Sequence, residues 1–283
     1  GGAAAPDQRL LLRYPPDRPN AVSIFAKDIE ALAPGKYLND SLIDVKIKYM
    51  VDKGEEWKKQ RMHVFSSLFF TKMLDADVPG LPEGVVHDAA HHRVRSWTRN
   101  VNVFDKDFVL VPVNMNSHWS LAVVANPGVR GSPAGGPATE YVDMAAPVVP
   151  CVIVLDSLHF HDPRKIHAYL VNWLAREWVR RGGEPARRAD LLGLPLVTPA
   201  ELARQQNEFD CGVYVIKYAE RLHRSWPRVT APAEAVLKRA LGGDFTQQDA
   251  LEERVLMRSL LEQLQRDWDS RGRARARAGA AAV

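Results

Sequence analysis

An α+β fold is predicted by three features of the 283-residue sequence. Apolar residues recur at helical spacing before residue 100, as in Leu42, Ile43, Ile47 and Met50. Strand-like runs cluster in the middle of the chain, between Val101 and Leu155. Helical spacing then returns from Pro163 onward, so the predicted architecture is a central sheet with helices before and after it.

The elements follow in order. Up to Asn20 the chain carries Pro6, Pro15, Pro16 and Pro19 and reads as an extended arm. Ser23 is positioned to cap a short helix ending before Pro34-Gly35. Asn39 or Asp40 caps a second helix, stopped at Gly54. Val64 to Leu74 reads as a third helix, followed by a polar loop through Pro79-Gly80 and Pro82. Val101 and Val103, Phe108–Val113 and Trp119–Val124 read as strands. Asn126–Pro150, rich in Gly, Pro and Ala, reads as a flexible insertion. Cys151–Leu155 is a wholly apolar run, as in a strand buried on both faces. Pro163 opens a helix carrying Ile166, Tyr169, Leu170, Trp173, Leu174 and Trp178, whose apolar stripe reads as core. A short strand at Leu196-Val197 precedes helices over Cys211–His223, Ala233–Leu241 and Asp249–Trp268. One domain over residues 1–269 is expected, with residues 270–283 as a basic flexible tail.

Composition narrows the function classes. At 46% hydrophobic and 25% charged the chain is globular, neither disordered nor fibrous. No apolar run approaches the ~18 residues of a membrane span. The net charge of +4 is concentrated in Arg271, Arg273, Arg275 and Arg277, so a nucleic-acid surface is not indicated beyond a weak contact by that tail. Two cysteines cannot form a disulfide framework, which points to a reducing compartment. The opening Gly1-Gly2-Ala3-Ala4-Ala5-Pro6 lacks Met and a basic-flanked apolar core; it reads as a piece of a longer chain, not a secretory signal.

Four segments carry chemistry. Cys211 starts a helix, where unpaired amides favour negative charge on sulfur, and Gly212 beside it would let a substrate backbone approach. His118 heads a strand, and Asp156 leaves the carboxyl end of a dry one, placed to hold an imidazole in one tautomer. Gln205 lies on the loop entering the Cys211 helix and offers an amide N–H to an oxyanion. Singly, these residues read as well as a small core thiol, a surface histidine, a turn-forming aspartate and a loop glutamine. Together they supply nucleophile, base, orienter and oxyanion donor. Cys151 opens the dry strand and reads as inert. His87, His91 and His92, or His159 with His161, have no structural zinc spacing and read as solvated loop residues, so no metal or cofactor is expected.

Gln205, Asp210-Cys211-Gly212-Val213, His118-Trp119 and Leu155-Asp156-Ser157 resemble the SUMO-specific cysteine proteases of the Ulp/sentrin-protease family. Tyr37-Leu38-Asn39-Asp40 resembles that family's Trp-Leu-Asn-Asp motif, with Tyr for Trp. The likeness spans roughly Lys36 to Leu222. Tyr37–Asp44, His63–Ser67, Arg93–Arg99 and Val111–Asn114 resemble the branch that edits poly-SUMO chains. The resemblance implies a papain-like fold, with His118 as general base, Asp156 as its orienter, Cys211 as nucleophile and Gln205 as oxyanion donor. It further implies that Trp119 roofs a channel for a Gly-Gly tail, that Tyr37 lines its other side, and that Asp40 touches the modifier. The expected function is a SUMO isopeptidase acting on SUMO conjugates or poly-SUMO chains, monomeric, nuclear or nucleocytoplasmic. The alternatives are a protease for another modifier such as NEDD8, or a catalytically silent SUMO-binding module.

Overall fold

The structure, a computed structural model, describes residues 8–128, 147–243 and 245–281, with backbone alone from 275. Strands β1 (Leu10–Tyr14) and β2 (Val22–Phe25) pair antiparallel and lead into α1 (Ala26–Glu30). Next come α2 (Asp40–Lys53), α3 (Glu56–Arg61), β3 (Met62–Val64), α4 (Leu68–Leu74) and α5 (Glu83–Val94). Strands β4 (Phe108–Met115), β5 (His118–Ala125) and β6 (Cys151–Leu155) form the centre. They are followed by α6 (Pro163–Arg180), α7 (Pro185–Leu192) and β7 (Leu196–Val197). The chain ends with α8 (Cys211–Ser225), α9 (Ala233–Leu241) and α10 (Gln247–Ala281).

The main sheet has the order β3-β4-β5-β6-β7. It is mixed: β4, β5 and β6 run antiparallel to one another, while β3 and β7 lie parallel on the edges. Strand alternation splits the core into two layers. Trp119, Leu121, Val123 and Ala125 face α2, α8 and α10, where Leu42, Ile43, Val213, Ile216, Met257 and Leu261 are buried. Ala122, Val124, Val152 and Val154 face α4, α5 and α6, packed with Phe69, Phe70, Val86, Ile166 and Trp173. Helices on both faces explain why β6 is apolar throughout.

Several expectations need correcting. Residues 10–14 of the extended arm form β1, because Leu12 and Tyr14 are buried in the core; residues 1–7 lie outside the described residues. Ser23 sits in β2 and caps nothing; the helix starts after Phe25. Val103 opens a 3-10 turn instead of a strand. Met62–Val64 is a strand beside β4, so the expected helix is confined to α4. Helices α3, α5 and α7 are additions to the expected elements; α3 and α7 are short, and the apolar residues of α5 do not share one face. The expected flexible tail continues α10 to Ala281, because Arg and Ala are both strong helix formers. Most of the expected insertion, residues 129–146, lies outside the described residues. Its described ends are held, Asn126 Nδ2 donating to the Val149 carbonyl at 3.1 Å and Val149 N to Val229 at 2.9 Å.

Candidate active site

A two-residue turn presents the imidazole. Asn116 and Ser117 both have positive φ, 51° and 60°, which matches the strand twist and lets Met115 pair directly with His118. Leu121 pairs with Leu155, so the chain leaving β6 emerges beside the start of β5. There His118 Nε2–H donates to Asp156 Oδ1 at 2.7 Å, both side chains being buried. With Nε2 engaged by Asp156, the Cys211 thiol is the ring's other interacting partner, and it too raises the His118 pKa.

The electrostatics follow from these partners. Burial disfavours the charged ring, but the hydrogen bonds to Asp156 and Cys211 outweigh it and push the His118 pKa up to about 9. Burial likewise opposes ionised Asp156, yet hydrogen bonds from His118 and from the His161 and Leu158 amides bring its pKa down to about 2. The ring is therefore held as an imidazolium beside sulfur across neutral pH.

Cys211 is the first residue of α8, where backbone N–H groups lack intrahelical acceptors. Its approach is rigid: Asn207 Oδ1 accepts from the Phe209 and Asp210 amides, and Asn207 Nδ2 donates to Asp210 Oδ2 at 2.8 Å. Arg254 of α10, buried, donates to Asp210 Oδ1 at 2.6 Å and to the carbonyls of Ala31, Lys36 and Phe209. A β-carbon on Gly212 would meet Leu38 Cβ at 2.9 Å and Ile43 Cδ1 at 3.1 Å. Its bareness therefore serves packing of α8 on α2, a correction to the substrate-approach reading.

Gln205 is buried and fixed at both ends of its amide. Ser157 Oγ–H donates to Oε1 at 2.6 Å, and Nε2 donates to the Asn207 carbonyl at 2.6 Å. One bond uses one N–H; the nitrogen carries a second. Trp119 Nε1–H donates to the Leu38 carbonyl at 3.1 Å, drawing the indole against the motif that starts at Tyr37. Tyr37 is 50% exposed, and Asp40 is exposed at the start of α2. Asn39, not Asp40, caps that helix, its Oδ1 accepting from Leu42 N at 3.1 Å. Cys211 itself is only 1% exposed, so a substrate must reach sulfur as a thin strand.

Two residues escaped the sequence reading. Ser157 carries no assignment from the sequence, where its only signal is a hydroxyl next to Asp156. His161, expected as a solvated loop histidine, is buried: Nε2–H donates to the Met115 carbonyl at 3.0 Å, so Nδ1 accepts from Ser120 Oγ–H at 2.7 Å. Its pKa is lowered by burial, and its ring lies 4.8 Å from that of His118. Among the described residues, His118, Asp156 and His161 are the group whose ligand atoms approach closely enough for a metal ion. Those atoms are committed to the bonds above, so a cation there would dismantle the array. His87 and His91 pair with Glu83 and Glu177. Cys151, its thiol pushed up to about 12 by burial, is an inert core residue.

Comparison with known proteins places the geometry. Residues 36–250 match the Ulp1 protease family, C-terminal catalytic domain. The chain is 36% identical over 256 residues to probable ubiquitin-like-specific protease 2B of Arabidopsis thaliana, covering 81% of this chain and 26% of that protein. It is 30% identical over 264 residues to mouse sentrin-specific protease 7, covering 76% of this chain and 25% of that protein. The chain thus spans about a quarter of the length of the curated relatives it matches. A crystal structure of a de-sumoylating protease superposes with TM-score 0.66 at 18% identity, covering 94% of this chain and 95% of that one. The C-terminal Ulp1 protease domain, solved in complex with Smt3, the yeast ortholog of SUMO, gives 0.56 at 19% identity over 92% and 90%. The mixed sheet flanked by helices is the papain-like fold of these proteases.

Proposed function

The chain belongs to the Ulp1 protease family, and from that premise we propose that it is the catalytic domain of a thiol isopeptidase that releases SUMO from conjugated lysines. Poly-SUMO chains are the proposed main substrate, and a nuclear or nucleocytoplasmic site of action is proposed with them. The observation that carries the reading is His118 held between the Asp156 carboxylate and the Cys211 thiol. The names of relatives support the modifier: sentrin-specific protease 7, and an Ulp1 domain bound to Smt3. The branch-like segments noted in the sequence support the preference for chains.

The chemistry follows from the geometry. Cys211 thiolate attacks the carbonyl of the modifier's terminal glycine, and the negative charge moves onto oxygen. The Cys211 amide at the α8 N-terminus and the second Gln205 N–H stabilise that oxyanion. His118, charged at neutral pH, gives its proton to the departing lysine amine. A water then loses its proton to the neutral ring and opens the thioester, restoring thiolate and imidazolium. A Gly-Gly tail suits a nearly buried sulfur because it brings no side chains past Trp119.

Incubation with poly-SUMO, a mono-SUMO conjugate, and NEDD8 and ubiquitin conjugates tests the proposal. Cleavage of SUMO substrates, chains fastest, is expected, with turnover abolished and SUMO binding kept in Cys211→Ser. Preferred cleavage of NEDD8 or ubiquitin conjugates, or turnover retained in Cys211→Ser, contradicts it.

A further inference from the structure

The loop that follows Asp156 presents two apolar side chains to solvent beside the general acid. Leu158 N donates to Asp156 Oδ1 at 3.0 Å, while Phe160 N and His161 N donate to Oδ2 at 3.0 and 2.9 Å. With its amides turned inward onto one carboxylate, the loop buries Ser157 and His161 and leaves Leu158 and Phe160 facing outward. Leu158 is 40% exposed and Phe160 58%. The Phe160 ring nevertheless stands edge-on to His118, with centroids 5.5 Å apart, and against His161 at 6.0 Å. His161, pinned by Ser120 and Met115, backs the pair from below.

Strand alternation fixes which side of the reaction this is. Trp119 lies on the face of β5 that packs with Leu38, Ile43 and Cys211, the side assigned to the modifier tail. His118 projects to the opposite face, together with Ser120 and the loop carrying Phe160. The ring that protonates the leaving nitrogen is therefore the ring that Phe160 touches.

We infer that Phe160, with Leu158 beside it, is the leaving-side contact that receives the methylene stem of the substrate lysine. An isopeptide differs from an ordinary peptide in having a run of methylenes, not a peptide backbone, next to the scissile nitrogen. An aromatic face flanked by a leucine removes such a stem from water without asking for any hydrogen bond. The same carboxylate that orients His118 sets the loop, so the pad keeps a fixed distance from the proton donor. This assignment rests on the isopeptidase reading above.

The test uses two substrates with one modifier. In one, SUMO is joined through its terminal glycine to a lysine side chain of a short peptide. In the other it ends as the methylamide, whose leaving amine has no stem. For Phe160→Ala the ratio of kcat/KM, lysine-linked over methylamide, is expected to fall about tenfold, the loss for leaving roughly two methylenes in water. Phe160→Leu should recover most of it. An unchanged ratio overturns the assignment. So does an equal loss on both substrates with a shifted alkaline limb, which would make Phe160 a support for His118. If the wild-type domain ignores both SUMO substrates but cleaves NEDD8 or ubiquitin counterparts, the modifier reading fails, and the same ratio on the cleaved modifier decides the Phe160 assignment.

Discussion

His118 carries a proton at neutral pH because its two partners outweigh its burial, and that balance is open to direct test. Loss of the imidazolium as pH rises through about 9 should set the alkaline limb of kcat/KM. Asp156→Asn removes the charge that raises this pKa, so the limb should move to lower pH and kcat should drop by about a hundredfold or more; a limb that stays near 9 would show that Asp156 does not tune the ring. Stability is linked to the same groups. The raised His118 contributes fully below its ordinary 6.5 and loses its contribution as pH rises through about 9. The depressed Asp156 contributes above its ordinary 3.8 and loses its contribution as pH falls towards about 2. In the proposed mechanism Ser157 acts through another residue: by donating to Oε1, its hydroxyl fixes the orientation of the Gln205 amide. Ser157→Ala should lower kcat about tenfold with little change in KM, Ser157→Thr should restore it, and Gln205→Ala should cost about a hundredfold. An effect of Ser157→Ala on KM alone would argue against an oxyanion role. The convergence of His118 with Asp156 and Cys211 was legible in the sequence because each residue type stands at a strand or helix end that suits its chemistry. Ser157 and His161 were not, since their roles exist only through partners 48 and 41 positions away along the chain.

At the level of elements, the nucleophile helix is held from outside the matched family region, residues 36–250. Arg254 on α10 reaches Asp210, the residue before Cys211, and the carbonyls of the Ala31–Lys36 segment leading to Tyr37. One guanidinium thereby ties the segment entering α8 to the segment that leads into Tyr37. Arg254→Ala leaves Asp210 buried without its cation and should cost about 3–5 kcal/mol in urea unfolding. The double variant Asp210→Asn, Arg254→Met should cost less than the single change; an equal or larger loss would deny the coupling. Elements with strong periods, α2, β4–β6, α6 and α8, were readable because each buries one face or both. Helices α3 and α7 were missed because six and eight residues are too short for a period to stand out, and α5 because its valines and alanines are spread around the helix instead of along one face. The hairpin of β1 and β2 was hidden by Pro15 and Pro16, which lie in its connection and not in its strands.

For the molecule as a whole, the two core layers meet at the end of the sheet where β5 begins and β6 stops, and the candidate site lies on that seam. Trp119 and Cys211 belong to one layer, while His118 and the Phe160 loop belong to the other face. The reaction therefore requires the sheet to hold both layers in register, which explains why residues scattered from 118 to 211 work as one group. Labelling with SUMO bearing a carbon electrophile in place of its terminal carboxylate probes this convergence most directly. Mass spectrometry should find one adduct, on Cys211 and not on buried Cys151, formed at a rate that falls at least about a hundredfold in His118→Ala. Modification at another residue, or a rate on Cys211 indifferent to His118, would contradict the account.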